Sequence, residues 1–147
     1  MTNWTIADIS SQSGKLAVVT GSSGGLGFET ALVLAQTGAE VVLTGRNDAK
    51  GHAAIAKIHS RFPEAKISYD TLDLASLASV AAFAQRFAAA HSSLDLLINN
   101  AGVMALPTRQ TTVDGFEVQF GTNYLGHYAL TAHSTAPSWS QAARGQS

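Results

Sequence analysis

A glycine-rich turn between an apolar run and an amphipathic one constrains this chain more than any other feature. Leu16-Ala17-Val18-Val19 runs into Thr20-Gly21-Ser22-Ser23-Gly24-Gly25-Leu26-Gly27, and Phe28 to Gln36 follows. Unpaired backbone N–H groups and the helix dipole both point out of a helix N-terminus, so a strand–turn–helix of this kind is suited to phosphate. The backbone comes that close only where there is no Cβ. Gly21 is expected to permit the tight turn out of the strand. Gly25 would let the main chain approach the phosphates, and Gly27 would let the helix lie close on the strand. The spacing is Gly-x-x-x-Gly-x-Gly rather than Gly-x-Gly-x-x-Gly, and no Gly-Lys-Ser/Thr follows, so a Walker loop is excluded. The implied ligand is the pyrophosphate of a dinucleotide; a plain loop is the competing reading.

The segments that follow favour the dinucleotide. Ala31, Leu34 and Ala35 recur at helical spacing, and Gly38 is placed to stop that helix. Glu40-Val41-Val42-Leu43-Thr44 reads as a second strand. Residues 49–61 read as a helix with Ala54, Ile55 and Ile58 on one face, ended by Pro63. Lys66-Ile67-Ser68-Tyr69 is a third, weaker strand. A further helix over residues 75–91 has Leu77, Val80, Ala84, Phe87 and Ala88 as its apolar face. Leu94-Asp95-Leu96-Leu97-Ile98 is a fourth strand. Strands alternating with helices predict an α/β chain: a Rossmann-like, doubly wound parallel sheet with helices on both faces, here only its N-terminal part of about four strands.

Composition narrows the partners. The length of 147 residues suits one domain. Residues 1–13 read as an N-terminal arm, 14–133 as an incomplete dinucleotide-binding domain and 134–147 as a disordered tail. The net charge of −1 gives no reason to expect nucleic acid or an anionic membrane. The chain has no cysteine, which excludes disulfides and thiolate metal sites, and its five histidines show no metal-ligand spacing. No metal is expected. No stretch is long and apolar enough to span a bilayer, and the N-terminus lacks the pattern of a signal peptide, so a cytoplasmic location is expected.

A second signature, Asn99-Asn100-Ala101-Gly102, follows directly on the fourth strand. A third runs from Asp114-Gly115-Phe116-Glu117 through Asn123-Tyr124-Leu125-Gly126-His127. With Thr20-Gly-x-x-x-Gly-x-Gly, this resembles the short-chain dehydrogenase/reductase family, nearest its retinol-dehydrogenase-like and protochlorophyllide-reductase-like branch. The resemblance covers about Trp4 to Thr131. It implies an NAD- or NADP-dependent oxidoreductase passing hydride to or from a carbonyl or alcohol carbon of a small substrate.

The resemblance also implies roles. Gly21, Ser22, Ser23, Gly25, Leu26 and Gly27 would wrap the cofactor phosphates and adjoining ribose, although serines also serve plain turn chemistry. Arg46 stands where members that prefer NAD carry an acid. A carboxylate there accepts from a free 2′-hydroxyl, whereas a guanidinium suits a 2′-phosphate. NADP is therefore the preferred cofactor, with NAD possible and Asp48 close enough to weigh against the preference. Asp73, beside Leu74, matches the residue that bonds the adenine amino group; it could equally cap the helix that begins near Ala75. Asn100, Ala101 and Gly102 would steady the sheet and lie along the cofactor ribose, with Asn99 in a structural role. Asn123 is the one catalytic-type residue that matches: the family asparagine opens its helix locally and holds a water of the proton relay. Phe116, Phe120, Asn123 and His127 are spaced to share one helix face, where a buried asparagine bonded to backbone is the alternative. His127, His52, His59, His91 and His133 read as ordinary.

The chain departs from the family at its catalytic pair. That chemistry uses a tyrosine followed four residues on by a lysine, whose charge lowers the phenol pKa. Tyr69, Tyr124 and Tyr128 are followed at that spacing by Asp73, Tyr128 and Ala132. The stretch after Leu130 is serine-rich and lacks large aliphatic residues, which suggests a truncation or altered reading frame near Thr131. The alternative function is thus a catalytically incompetent dinucleotide-binding fragment. An open apolar edge on the fourth strand would also favour self-association.

Overall fold

In a computed structural model, which describes residues 3–135, the apolar run preceding the glycine turn is strand β1 (Leu16–Val19) and the turn opens helix α1 (Gly25–Gln36). Strand β2 (Glu40–Gly45), helix α2 (Asp48–Arg61), strand β3 (Ile67–Thr71), helix α3 (Leu77–Ala90) and strand β4 (Leu96–Ile98) follow. Local chemistry sets these boundaries. Gly38 leaves α1 with φ +98°, a conformation that costs a residue without Cβ little. Asn47 caps α2 by accepting the Lys50 N–H, and Ser76 caps α3 by accepting the Ser79 N–H.

Among the described residues the strands pair in parallel, in the order β3-β2-β1-β4. The chain winds outward from β1 to β3, then returns to place β4 on the other side of β1. Alternation along each central strand supplies both faces. Val18 and Val42 meet Val80, Phe83, Phe87 and Leu130 on one side, while Val19, Val41 and Leu43 meet Ala31, Leu32, Ala54 and Ile58 on the other. Both faces of β1 are therefore buried, which is why it reads as an unbroken apolar run.

The apolar face of α3 differs from its expected membership. Phe83 is buried, while Ala88 is exposed. Val80, Phe83, Ala84 and Phe87 stand at i, i+3, i+4 and i+7, and a phenylalanine gains about 1.5–3 kcal/mol on burial where an alanine gains little. Asp95 lies just before β4 and caps the sheet, its Oδ2 accepting the Leu16 N–H at 2.8 Å.

The arm holds one 3₁₀ turn, Ile6–Asp8, and is tied to the end of α1 by Gln12 N–H donating to the Thr37 carbonyl at 2.8 Å. After β4, Glu117 caps a short helix α4 (Val118–Phe120), which passes into a π-helical segment (Gly121–Gly126) and then helix α5 (His127–Ser134). Ser134 thus closes a helix, its Oγ donating to the Leu130 carbonyl at 2.8 Å, rather than opening a disordered tail. Residues 136–147 of the expected tail lie outside the described residues. The expected shared face of Phe116, Phe120, Asn123 and His127 does not form. Phe116 precedes the helix, Phe120 and Asn123 are exposed, and His127 is buried. The wider π winding changes the phase mid-way, and Phe120 stacks instead on Tyr124, with ring centroids 5.3 Å apart.

Candidate functional site

In an open α/β sheet the crevice outside the strand C-termini, where strand order reverses, is the natural ligand site. Here the reversal lies between β1 and β4. A cleft of about 300 Å³ opens at that end of the sheet. Gly21 enters it from β1, Thr44 to Arg46 from β2, Leu72 to Leu74 from β3 and Asn100 to Val103 from β4, with Thr122 on the far wall.

The glycines of the turn divide into two kinds. Gly21 has φ +62°, and a Cβ on it would meet the Ala101 Cβ at 2.8 Å. A Cβ on Gly27 would meet Asn100 Nδ2 at 2.5 Å and the Gly21 carbonyl oxygen at 2.6 Å. These two allow the close packing of turn, helix and β4 loop. Gly24 and Gly25 face open space, Gly25 with φ +59°. Gly24 occupies the N-cap position of α1 and no side chain among the described residues caps that end, so its first N–H groups stay available for an anion.

The two serines separate as sharply. Ser22 is fully buried; its Oγ donates to the Val19 carbonyl at 2.8 Å and accepts the Thr44 N–H at 3.1 Å. Its proton and one lone pair go to joining β1 and β2, so its side chain follows the turn-chemistry reading. Ser23 lines the cleft and also the neighbouring recess formed with Arg46, Asn47 and Lys50. Leu26 is 81% exposed beside the turn and lines neither.

Arg46 closes the β2 corner of the cleft, and Lys50 joins it across the recess. Among the described residues neither pairs with a carboxylate; the ion pair that forms is Arg86–Asp70, at 3.0 Å. Asp48 is turned toward β3, where it accepts from Thr71 Oγ1 at 2.7 Å. Tyr69 donates its hydroxyl to the Gly45 carbonyl at 2.8 Å. Burial, with Asp48 close by, raises the Tyr69 phenol above its ordinary value.

Asp73 lies in the cleft wall, and its Oδ1 accepts the Ala75 N–H at 2.9 Å. It organises the turn before α3 while Ser76 occupies the capping position. Leu74 beside it is buried, and its carbonyl oxygen lies against Gly126, where no Cβ intervenes. Asn100 Nδ2 donates to the carbonyl of Thr20 at 3.0 Å and to that of Gly21 at 3.3 Å. Asn99 sits outside the cleft, donating to Thr131 Oγ1 at 3.3 Å. Asn123 clasps the Val103 backbone, accepting its N–H at 2.8 Å and donating to its carbonyl at 2.8 Å. Its side chain is thus bonded to backbone, within a locally opened π-helical segment that places it beside Gly102. Thr122 Oγ1 is buried in the cleft wall with no hydrogen-bond partner among the described residues, a hydroxyl left for a ligand or water.

Sequence reasoning missed Lys50, Val103, Thr122 and the part played by His127. Lys50 stands four residues after Arg46, the spacing that sets both beside the first turn of α2. His127, read as ordinary, is buried with Nε2 2.8 Å from Thr20 Oγ1. Its only sequence signal is the four-residue spacing from Asn123.

A model of the short chain dehydrogenase family matches residues 15–146. The chain is 43% identical to polyprenol dehydrogenase of Danio rerio over 129 residues, 88% of this chain and 40% of that one. It is 46% identical to retinol dehydrogenase 12 of Mus musculus over 118 residues, 80% of this chain and 37% of that one. The crystal structure of a metagenomic short-chain oxidoreductase in complex with NADP superposes with a TM-score of 0.76 at 35% identity, covering 92% of this chain and 61% of that one. The chain spans about 40% of the length of the curated relatives it matches.

Proposed function

The chain belongs to the short-chain dehydrogenase/reductase family, and from that premise we propose that its residues form the nucleotide-binding part of an oxidoreductase. The substrate carbon is a carbonyl or an alcohol, and the preferred cofactor is NADP(H). The observation that carries the preference is the recess formed by Ser23, Arg46, Asn47 and Lys50 at the edge of the cleft. Two cations with no carboxylate partner among the described residues flank a serine there, at the end of the second strand. That donor set suits a phosphate monoester and lacks the carboxylate that would accept from a free hydroxyl pair. The chain fits a dinucleotide elsewhere as well: the uncapped α1 terminus, the open space at Gly24 and Gly25, and the orphaned Thr122 hydroxyl.

When bound, the nicotinamide supplies hydride chemistry. The residues of this chain bind and orient. The turn from Gly21 to Gly27 directs N–H groups at the pyrophosphate, with Ser23 adding a hydroxyl. Arg46 and Lys50 take the 2′-phosphate. Asp73 accepts from the adenine amino group beside Leu74, and Asn100, Ala101 and Gly102 border the ribose. Asn123 holds a relay water on its backbone carbonyl, one lone pair of which His127 already occupies at 3.1 Å.

A second reading is favoured by one observation: no Tyr-x-x-x-Lys occurs in these 147 residues. The chain would then bind the nucleotide without turnover, and the edge of β4, which among the described residues pairs with β1 alone, would be a place for association with another strand. Titration with NADPH and NADH, followed by turnover assays on alcohols and ketones that include retinol and a polyprenol, separates the readings. Binding with turnover supports the oxidoreductase, and binding alone supports the second reading. Equal affinity for both nucleotides, unchanged in Arg46→Ala, sinks the NADP preference. No binding of either nucleotide sinks both readings. No helix among the described residues is long and apolar enough to cross a membrane.

A further inference from the structure

The hydroxyl of Thr20 is a fully committed atom. Thr20 is completely buried at the end of β1, and its Oγ1 accepts the backbone N–H groups of Asn100 and Ala101, each at 2.9 Å. Those two bonds use both lone pairs of a hydroxyl oxygen, so its single proton must be donated. Two acceptors are in reach: the Ile98 carbonyl at 3.4 Å and His127 Nε2 at 2.8 Å. The first distance exceeds the normal range for O–H donors and the second falls within it. The proton therefore points at His127.

The imidazole is assigned by this network. Nε2 accepts, so the ring proton sits on Nδ1, and Nδ1 donates to the Asn123 carbonyl at 3.1 Å. Asn123 in turn holds Val103, which lines the cleft. One neutral ring thus links the strand-end loop Asn100–Ala101 to the segment that carries Asn123.

We propose that His127 is a positioning residue that couples the glycine-turn side of the cleft to Asn123, and that it does so only as the neutral Nδ1–H tautomer. The coupling rests on reading the cleft as the nucleotide site. Protonation would break it for a counting reason. An imidazolium has no acceptor, and its Nε2–H would face an oxygen whose lone pairs are both taken. Thr20 would have to swing its proton to the distant Ile98 carbonyl and release one of the two backbone N–H groups.

The surroundings favour the neutral form. Burial holds His127 below its ordinary value of 6.5, with the Asn123 carbonyl pulling the other way. The groove beside the ring is lined by Asn99, Ala101, Asn123, Tyr124, Tyr128 and Thr131, whose two phenols are the titratable groups there. Helix α3, packed against α5, contributes Val80, Phe83 and Phe87 to that side of the core. Among the described residues no carboxylate or cation acts on the imidazole. The switch therefore operates on the acid side of 6.5.

The test is NMR of the whole chain with ¹⁵N-labelled histidine and backbone, titrated between about pH 8 and about pH 5. The expected result is an unprotonated Nε2 and a protonated Nδ1 at neutral pH, with the amides of Asn100, Ala101 and Val103 moving along the His127 titration curve. NADPH affinity in the same range should fall by about tenfold toward acid, the loss of roughly one buried hydrogen bond. In His127→Asn, which keeps a donor near the Nδ1 position but cannot titrate, that extra acid loss should disappear. A ring protonated on Nε2, or amides that ignore its titration, overturns the proposal. If NADPH does not bind at all, the nucleotide reading fails while the tautomer and the amide shifts still decide the coupling.

Discussion

Asn100 reaches back from the end of β4 and donates its side-chain amide to the Thr20 carbonyl at 3.0 Å, pinning the start of the glycine turn. The same amide lies 3.3 Å from the Gly21 carbonyl, so one side chain satisfies two turn carbonyls that the strand ladder leaves behind. Asn100→Ala should cost about 1–3 kcal/mol of stability, the penalty for stranding partly buried acceptors. NADPH should bind more weakly as well, because the turn is no longer held. Thermal melts with and without nucleotide measure both effects; an unchanged melting temperature would remove Asn100 from this role.

The glycines of the turn should separate in mutagenesis. Gly27→Ala places a methyl against the Asn100 amide and the Gly21 carbonyl, and backbone cannot yield as a long side chain can. It should destabilise by about 1–3 kcal/mol, the range for overpacking. Gly25→Ala meets nothing, but strains a residue at φ +59° by about 1–2 kcal/mol. It also fills the space assigned to phosphate, so its larger effect should be on NADPH affinity. Chemical denaturation alongside fluorescence titration would expose the opposite ordering.

Ser22 and Ser23 are adjacent yet should fail differently. Ser22→Ala strands the buried Thr44 N–H and takes from the Val19 carbonyl one of its donors, leaving it Thr44 Oγ1 at 3.3 Å, and should lower stability by about 1–3 kcal/mol. Ser23→Ala should leave the melting temperature near the parent value and weaken nucleotide binding. Calorimetry on the two variants decides the matter.

Lys50 gives the recess its second cation. Lys50→Ala should weaken NADPH by roughly tenfold or less, as suits an exposed charge contact, and leave NADH nearly unchanged. The difference should shrink at high salt, since exposed pairs are screened. Equal losses for both nucleotides would place Lys50 outside the phosphate site.

Glu117 supplies a pH dependence whose sign follows from its bonds. Its carboxylate accepts the N–H groups of Gln119 at 2.9 Å and Phe120 at 2.8 Å, and these hold it below its ordinary 4.5. A depressed carboxylate contributes stability that is present above 4.5 and is lost as pH falls through the folded value. Melting temperatures from about pH 6 to about pH 3 should drop less steeply in Glu117→Gln than in the parent. Parallel curves would rule out this capping contribution.

Much of the fold was legible because it rests on local rules. The run Leu16–Val19, the glycine turn and the stop at Gly38 each announce themselves through side-chain absence or apolarity. The α3 face is only partly legible because Phe83 and Ala88 both suit the helical period, and only packing against Val18 and Val42 chooses between them. The π-helical segment is not legible as a register, so ordinary helical spacing gives Phe120 and His127 one face that the wider winding separates. Ser22 and Ser23 are chemically identical in sequence, and the β1–β2 junction alone sends one into the sheet and the other to the cleft.

The sequence by itself determined the parallel α/β architecture, the phosphate-suited turn and the family, because each depends on short-range pattern and on residues that lack a Cβ. Tertiary structure decided which polar groups remain free for a ligand. Asp48 is taken up by Thr71, Ser22 by two strands and Asn123 by Val103, whereas among the described residues Arg46, Lys50 and the Thr122 hydroxyl keep their capacity. Hydrogen-bonding capacity is finite at each atom, and partners distant in the chain consume it only once the sheet has brought them together.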